Sequence, residues 1–463
     1  MLPICLVAAL AFSTLGHAST SQAAPPAVTV EALARAGDGA PIAGLGATFH
    51  AGRRAALRAL LGEGLVLVRG LPTQRDYSAF RQDKTFWYLT GIESPDAALL
   101  MDAKTGAEIL FLPDHNPMME VWEGELWDAG DAWVSKLTGI TNVLPALKLF
   151  EMLGERLAAD PVIWISRYPE VVLAGGADRA MPFDAKQRAD RLDGRVARAD
   201  ALADRLEQHF GAKVRDFRRQ IEELRWIKQP QEIAALRRAS QSAAIAMVDG
   251  IRYTQPDMGE WEVAARLTYV HQFEGATGPA YLPIVGSGPN SCILHYSAAS
   301  RRMRAGEVLL VDYAPEVDGY VSDVTRTWPV DTQFSERAAK LYDIVLEAQL
   351  ASIAAVKPGA TFATIEAATN AVFTAHDVMQ YRLHGVCHTV GMEVHDTNVR
   401  RGTLVEGVAF TVEPGLYDRE AGIGIRIEDV VLVTVDGCEV LSAAVPKSRA
   451  EIEALRQLGP IRR

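Results

Sequence analysis

Residues 311–327 read VDYAPEVDGYVSDVTRT, and they place two carboxylates in extended, largely apolar surroundings. Asp312 lies in the apolar run EVLLVDYA, a polar link at Asp318-Gly319 follows, and a second extended run carries Asp323. A hairpin about that link would bring Asp312 and Asp323 close to opposite one another. Like charges that face each other across two strands destabilise the pair, and an uncompensated buried carboxylate costs more. The segment therefore indicates that something nearby compensates both charges.

Three later segments add acidic and imidazole groups in similar surroundings. They are LHGVCHTVGMEVHD with His384, His388 and His395, FTVEPGLY with Glu413, and GIRIEDVVLV with Glu428. Both glutamates interrupt apolar, strand-like runs, where a lone carboxylate is as unfavourable as either aspartate.

These groups have two competing explanations. Taken singly, His388 could be a hydrogen-bonded core histidine. Glu428 could pair with Arg426, and Asp323 could pair with Arg326. The whole set would then be a network of structural salt bridges. Yet four carboxylates with only these two arginines nearby leave negative charge uncompensated. Two divalent cations would compensate it, and oxygen-rich ligation with one imidazole suits Mn²⁺ or a similar ion better than a structural zinc site.

The same segments resemble the pita-bread metallopeptidases, and most closely the aminopeptidase P (Xaa-Pro aminopeptidase) family. In that family the metal ligands are Asp, Asp, His, Glu and Glu, in this chain order. The match runs from about residue 50 to 455 and includes FRQDKTFWYLTGIESPDAALL, which is typical of the aminopeptidase P N-terminal domain. The resemblance implies five metal ligands, namely Asp312, Asp323, His388, Glu413 and Glu428.

The resemblance also implies a mechanism and roles for neighbouring residues. A water or hydroxide shared by the two cations, its pKa lowered by them, would attack the scissile carbonyl, with Glu413 as the general base. His295, in GPNSCILHY, and His395 match family histidines that stabilise the tetrahedral intermediate and assist proton transfer. His384 matches a residue of the proline-binding pocket, and Arg426 is expected to support the ligands beside the substrate.

Length and composition fit an exported enzyme of two domains. The 463 residues are too many for one ordinary core, and the net charge of −11 argues against nucleic acid or an anionic membrane as a partner. Residues 1–24 contain no Asp, Glu, Lys or Arg and include an apolar run before a small-residue cleavage pattern. They predict a signal peptide, and hence a secreted or periplasmic protein.

The order of helical and strand-like segments predicts the fold class. An α/β N-terminal domain is expected over residues 46–215, with FWYLTG, AALLMD, EILFLP and VIWIS as strands and a charged helical stretch at 184–210. Residues 218–455 show two helices followed by strands, twice over. They predict a duplicated α+β pita-bread catalytic domain, like those of creatinase and methionine aminopeptidase.

Three functions compete at this point. The first is an aminopeptidase that removes the residue before proline from peptides. The second is a prolidase, which cleaves Xaa-Pro dipeptides with the same ligands, and the third is a pita-bread domain that only binds peptides or proteins. Relatives of the third kind typically lose metal ligands, whereas all five are present here. Proline-containing peptides are therefore the expected partners, and the family suggests a homodimer or homotetramer, in which Trp87 lies in a segment that can reach a neighbouring subunit.

Overall fold

A computed structural model describes residues 43–74, 77, 79–171, 173, 175–397 and 402–461, which all fall within one compact unit. The predicted signal peptide lies outside the described residues. The helices are α1 (Ala47–Leu61), α2 (Lys84–Thr90), α3 (Pro117–Glu123), α4 (Ala132–Thr138), α5 (Leu149–Ala159), α6 (Ala177–Ala189), α7 (Arg198–Phe210), α8 (Arg218–Trp226), α9 (Pro230–Tyr253), α10 (Glu260–Phe273), α11 (Glu336–Ala354), α12 (Phe362–Ala375) and α13 (Arg449–Leu458).

A six-stranded mixed sheet organises the first half of the described chain. Its strands are β1 (Leu65–Arg69), β2 (Ala98–Asp102), β3 (Glu108–Leu112), β4 (Val143–Pro145), β5 (Val162–Ile165) and β6 (Lys213–Asp216). They lie in the order β4-β3-β2-β1-β5-β6, with β1, β5 and β6 parallel to one another and β2 antiparallel to its neighbours. The predicted α/β class is confirmed, because helices alternate with these strands.

Two sequence predictions for this half are wrong in detail. FWYLTG is not a strand, because residues 84–90 form α2, which begins where the Asp83 carboxylate accepts a hydrogen bond from the backbone N–H of Phe86. Six of its seven residues are buried, so the helix shows no apolar stripe by which it could be recognised. The charged stretch at 184–210 is two helices, α6 and α7, and a turn that ends at Gly194 separates them.

The second half repeats a scheme of two helices followed by strands. α9 and α10 precede β7 (Gly278–Pro279), β8 (Ile284–Ser287), β9 (Val308–Asp312), β10 (Pro315–Val317), β11 (Tyr320–Val321) and β12 (Thr325–Pro329). α11 and α12 precede β13 (Ala409–Val412), β14 (Gly415–Asp418), β15 (Ile423–Arg426), β16 (Asp429–Val433) and β17 (Cys438–Val440). The predicted duplication of helix pair and strands is confirmed. The exact domain boundaries at 46–215 and 218–455 stay predictions.

The predicted hairpin forms about the predicted link. Asp318 and Gly319 both have positive φ, 51° and 73°, in a tight turn between β10 and β11. The longer ladder joins β9 to β12 and places Asp312 opposite Thr325, two residues from Asp323, so the two aspartates lie close to opposite one another, as expected, without forming a direct pair. Between these strands, residues 313–324 add β10 and β11 to a separate small sheet with β7.

Side chains from both halves share one buried cluster. Phe86, Trp87 and Tyr88 of α2 pack in the same cluster as Tyr320 and Val430 from the second half. Burial of large aromatic side chains contributes strongly to stability, so this cluster joins the N-terminal sheet to the strands that carry the predicted metal ligands. Among the described residues, no helix is both long and apolar enough to cross a membrane.

Candidate metal centre and active site

The predicted ligands lie where strands of the second half begin or end. Asp312 is the last residue of β9, and Asp323 lies two residues before β12. Glu413 directly follows β13, and Glu428 lies between β15 and β16. His388 precedes β13 in the chain, and its carbonyl accepts a hydrogen bond from the backbone N–H of Thr411 at 2.8 Å. Strands fix the backbone of each position, so the side chains meet in one place.

His388 brings the predicted ligands together. Its Nε2 atom lies 3.5 Å from Asp323 Oδ2, 3.5 Å from Glu413 Oε1 and 3.8 Å from Glu428 Oε1. The other ring nitrogen, Nδ1, donates a hydrogen bond to the carbonyl of Val394 at 2.9 Å. That bond fixes the proton on Nδ1 and leaves the lone pair of Nε2 toward the carboxylates, the arrangement that metal-binding histidines adopt.

The buried carboxylates carry more negative charge than their surroundings compensate. Burial and the neighbouring carboxylates raise the pKa of Glu428 to about 8. The same two causes raise the pKa values of Asp323 and Glu413 well above their ordinary range. Ligand atoms of Asp323, His388 and Glu428 all lie within 4.8 Å of one another. Hard oxygen donors with one imidazole around uncompensated charge fit divalent cations.

Arg426 is paired differently from the sequence expectation. Its guanidinium donates to Asp312 Oδ2 at 2.6 Å and to the Tyr417 hydroxyl at 3.0 Å, so its ion-pair partner is Asp312 rather than Glu428. Arg326 pairs with Asp429 at 2.7 Å and not with Asp323. Of the carboxylates in the described site, Asp312 is thus the one that an arginine pairs with directly, and the explanation by a complete network of salt bridges fails.

Two further side chains orient the ligands, and the sequence analysis missed both. The Tyr281 hydroxyl lies 2.5 Å from Asp312 Oδ1 and 2.7 Å from Asp323 Oδ1, and it links the two aspartates. The Thr325 hydroxyl donates to Glu428 Oε2 at 2.6 Å. Neither Tyr281 nor Thr325 belongs to a sequence motif that indicates a metal site. The one signal for Thr325 is its position two residues after Asp323.

His384 lies at the edge of the same site. Its Nε2 atom is 2.7 Å from the Tyr417 hydroxyl, and its Nδ1 atom donates to the carbonyl of Gly385 and lies 3.7 Å from Glu413 Oε2. Burial lowers the pKa of His384 to about 3, so the ring is neutral. The predicted pocket residue is therefore in place beside a ligand, held by Tyr417, which Arg426 contacts in turn.

The remaining predicted histidines, His295 and His395, also reach the site. The ring of His395 stacks on that of His388, with centroids 4.1 Å apart and an angle of 27° between the planes. Its Nδ1 atom donates to Asp178 Oδ2 at 2.6 Å. His295 Nδ1 accepts a hydrogen bond from the Arg179 guanidinium at 3.0 Å. Asp178 and Arg179 belong to α6, and nothing in the local sequence relates them to a site more than a hundred residues away.

Trp87 is buried within its own chain. It is only 5% exposed and packs against Tyr320, with ring centroids 6.2 Å apart, and beside Gly319. A side chain added at Gly319 would meet the Trp87 ring at 2.6 Å. The residue therefore packs under the β10–β11 turn, and a reach of its segment toward a neighbouring subunit stays a prediction.

Comparison with known proteins agrees with this geometry over both halves of the chain. Residues 50–164 match the aminopeptidase P N-terminal domain, and residues 234–435 match metallopeptidase family M24. The chain is 31% identical over 413 residues to the Xaa-Pro aminopeptidase of Escherichia coli K12. The aligned region covers 81% of this chain and 89% of that protein.

Solved structures show the same similarity. A Bacillus anthracis protein assigned to aminopeptidase P superimposes with a TM-score of 0.81 at 25% identity, over 90% of this chain and 99% of its own. Aminopeptidase P from E. coli, bound to the inhibitor Pro-Leu, gives a TM-score of 0.74 at 29% identity, over 89% of this chain and 98% of its own. With a matching domain in each half and the five acidic and histidine positions brought together, the chain belongs to the aminopeptidase P branch of metallopeptidase family M24 and is a metallo-aminopeptidase.

Proposed function

We propose that the enzyme hydrolyses the bond between an N-terminal residue and a following proline, with two divalent cations and with Mn²⁺ as the native metal. One observation carries the proposal: His388 Nε2 faces the carboxylates of Asp323, Glu413 and Glu428 within 3.8 Å. The relatives support the substrate, because curated proteins about 30% identical to this chain are Xaa-Pro aminopeptidases. The oxygen-rich donor set supports Mn²⁺ over zinc.

The proposed roles of the ligands follow from their positions. Asp312, Asp323, His388, Glu413 and Glu428 would hold the cations. When bound, two cations supply an activated water nucleophile and polarise the scissile carbonyl. Arg426 orients the Asp312 carboxylate, and the Thr325 hydroxyl orients one oxygen of Glu428.

Proton transfer falls to side chains beside the ligands. Glu413 is the proposed general base, since its carboxylate lies both near His388 Nε2 and near His384 Nδ1. Because buried carboxylates surround it, the Glu413 carboxyl holds a proton more readily than an exposed glutamate. His384, neutral and fixed by Tyr417 and Gly385, would form one wall of the pocket for the proline ring.

Cellular location and assembly complete the proposal. The charge-free, apolar residues 1–24 support export and removal of this segment. A homodimer or homotetramer is the proposed assembly. Expression of the full chain in a Gram-negative host, followed by N-terminal sequencing of periplasmic protein and light scattering, tests both. A mature protein that still begins at Met1 would contradict export, and a monomeric mass would contradict the oligomer.

Product analysis tests the activity itself. The Mn²⁺-loaded protein is incubated with an Xaa-Pro-Yaa tripeptide and with the matching Xaa-Pro dipeptide, each with and without a chelator. Release of Xaa from the tripeptide alone, abolished by the chelator, is the expected result. Cleavage of the dipeptide alone would establish a prolidase, an outcome that the relatives do not favour. Absence of any cleavage by folded, metal-loaded protein would refute a catalytic role for the five ligands.

A further inference from the structure

The first turn of α6 brings two charged side chains from the N-terminal domain into the active site. Asp178 and Arg179 are consecutive, and each contacts a different site histidine, His395 and His295. Gly176, just before the helix, makes this approach possible. A Cβ atom at that position would lie 2.5 Å from the carbonyl oxygen of His395 and 2.6 Å from its Cβ, so any larger residue would push the start of α6 away.

The chemistry of each partner decides where the proton of each ring lies. A carboxylate accepts hydrogen bonds and, when ionised, donates none. The 2.6 Å contact between Asp178 Oδ2 and His395 Nδ1 therefore requires the proton on Nδ1 of His395. The pKa of the Asp178 carboxyl is lowered, chiefly by this hydrogen bond, so its acceptor form is the stable one.

Arg179 imposes the opposite arrangement on His295. A guanidinium donates hydrogen bonds and accepts none. The 3.0 Å contact between Arg179 Nη2 and His295 Nδ1 therefore requires a lone pair on Nδ1, and the proton of the neutral ring must be on Nε2. Burial and the adjacent Arg179 charge both lower the pKa of His295, in agreement with a neutral ring.

We propose that Asp178 and Arg179 are positioning residues that fix opposite tautomers in the two site histidines. In its neutral form His395 then offers an unprotonated Nε2, a hydrogen-bond acceptor, and His295 offers an Nε2–H, a hydrogen-bond donor. The inference rests on the proposed function for its consequence. In peptide hydrolysis a developing oxyanion needs a donor, and a proton that leaves the substrate or the nucleophile needs an acceptor. The two histidines would thus divide these tasks, with His295 on the oxyanion and His395 on the proton.

The division depends on how α6 docks. Among the described residues of α6, only Ala177 is buried, while Met181 and Phe183 are exposed. Its first turn is held at the site by Gly176 and by the two contacts with the histidines, while Arg188 near its end pairs with Asp200 of α7 at 3.2 Å. Control of both tautomers by one short segment means that a change in the N-terminal domain alters the catalytic chemistry without touching a metal ligand.

Nuclear magnetic resonance of ¹⁵N-histidine-labelled, zinc-loaded protein tests the tautomers directly, since zinc is diamagnetic. The signals are assigned by their loss in the His295→Gln and His395→Gln variants. We expect an Nε2–H tautomer for His295 and an Nδ1–H tautomer for His395. In Arg179→Glu, where the new carboxylate can only accept, the His295 proton should move to Nδ1. The same tautomer on both rings of the unaltered protein would overturn the proposal.

Kinetics supply the second readout. Asp178→Ala and Arg179→Glu should lower kcat by about 10- to 100-fold, the usual cost of losing a residue that orients a site group, with little change in KM. Two exposed or half-buried positions of the same helix give matched controls, Asp184→Ala and Lys186→Glu, which make the same charge changes away from the histidines and should keep kcat near that of the unaltered enzyme.

Each result separates the two proposals. If Asp178→Ala changes kcat no more than Asp184→Ala does, the positioning role is refuted. If the tautomers are as expected but Xaa-Pro peptides are not cleaved, the proposed function fails and the tautomer assignment stands. Melting temperature and metal content are measured for every variant. A general loss of folding would lower these two quantities in the control variants as well as in the test variants.

Discussion

A single hydroxyl illustrates how tightly the site residues are arranged. Tyr281 lies within hydrogen-bond distance of Asp312 and Asp323 at once, and its own pKa is raised well above the ordinary range by burial and by these two carboxylates. The hydroxyl has one proton, so it donates a hydrogen bond to one carboxylate or shares that hydrogen bond between the two. The phenol therefore keeps two like-charged groups close together, but it does not supply the positive charge that they lack.

That missing charge gives a prediction for the metal-free enzyme. Because the pKa of Glu428 is raised from its ordinary 4.5 to about 8, the folded protein binds this proton more tightly than the unfolded chain does. The resulting stabilisation is complete below pH 4.5 and is lost as the pH rises to about 8. We expect the free energy of unfolding of chelator-stripped protein, measured in urea, to decrease between pH 5 and pH 8.

Two comparisons check the cause of that decrease. In Mn²⁺-loaded protein the decrease should be smaller, since the cations would compensate the carboxylates. In metal-free Glu428→Gln it should also be smaller, because the titrating group is gone. A stripped protein that became more stable over the same pH range would contradict the interpretation of the site as an excess of negative charge.

The sequence was enough to name the candidate site residues, but not the residues that they contact. The five ligand positions, His295, His384 and His395 could all be named, because each lies in a short segment with a distinctive pattern. Their partners could not. Arg426 pairs with Asp312 and not with Glu428, because strand register and not distance along the chain decides which side chains meet.

At the scale of elements, the loop that carries His395 depends on a buried ionic cluster. The Asp396 carboxylate accepts from Arg225 at 2.6 Å and from Lys228 at 3.1 Å, and Glu393 accepts from Arg225 at 3.0 Å and from the Tyr168 hydroxyl at 2.8 Å. Arg225 lies in α8 and Tyr168 follows β5, so the cluster connects this loop to elements of the first half. It fixes the loop on which His395 lies.

Asp396→Asn should lower the free energy of unfolding by about 3–5 kcal/mol, since loss of this carboxylate leaves the buried Lys228 without its partner and Arg225 with Glu393 alone. Urea denaturation at pH 7 measures the change. Asp343→Asn is the control, because Asp343 pairs with Arg449 at the surface and such pairs contribute about 1 kcal/mol or less. Equal effects of the two substitutions would show that the buried cluster adds no stability.

The same cluster predicts a response to acid. Arg225 and Lys228 lower the pKa of Asp396 to about 2, so its contribution to stability is present above the ordinary value of 3.8 and is lost as the pH falls toward 2. The free energy of unfolding should therefore fall more steeply between pH 4 and pH 2 for the unaltered protein than for Asp396→Asn. Parallel curves for the two proteins would contradict this assignment.

Elements were predictable where their apolar pattern has a clear period and not where it lacks one. α9 with α10 and α11 with α12 form the two predicted helix pairs. α2 was mistaken for a strand because it is buried on all sides, so its sequence has no polar face. The Asp-Gly turn predicted the pairing of the strand that ends at Asp312 with the run that carries Asp323, but not the division of this hairpin between two sheets.

At the scale of the whole molecule, the two halves share a core. Trp87 and Phe86 pack in one cluster with Tyr320, Met392 and Val430, so the N-terminal half covers apolar side chains that lie next to the metal-binding strands. A fragment that begins at residue 218 would expose this surface, and we expect it to aggregate or to bind a hydrophobic dye. Circular dichroism and size-exclusion chromatography, with residues 43–463 as the control, measure this. A monomeric fragment with cooperative unfolding would contradict the shared core.

The overall architecture was the part most open to prediction, because duplication and family resemblance both involve long stretches of sequence. The contacts between the halves were the least open, since no pattern within α6 or α2 names the distant residue that it meets. Nothing in the sequence around Asp178 and Gly176 indicates that both lie against His395 in the folded protein.

The order of these parts along the chain has a consequence for biosynthesis. Asp178 and Arg179 are translated long before the histidines that they contact, and Glu428 is translated after every other ligand. A chain that is interrupted before residue 428 has the partners of the histidines but an incomplete set of ligands. It would have no means of cleaving the peptides and nascent proteins around the ribosome. The late position of this one proposed ligand thus ties hydrolytic capacity to synthesis of nearly the whole polypeptide.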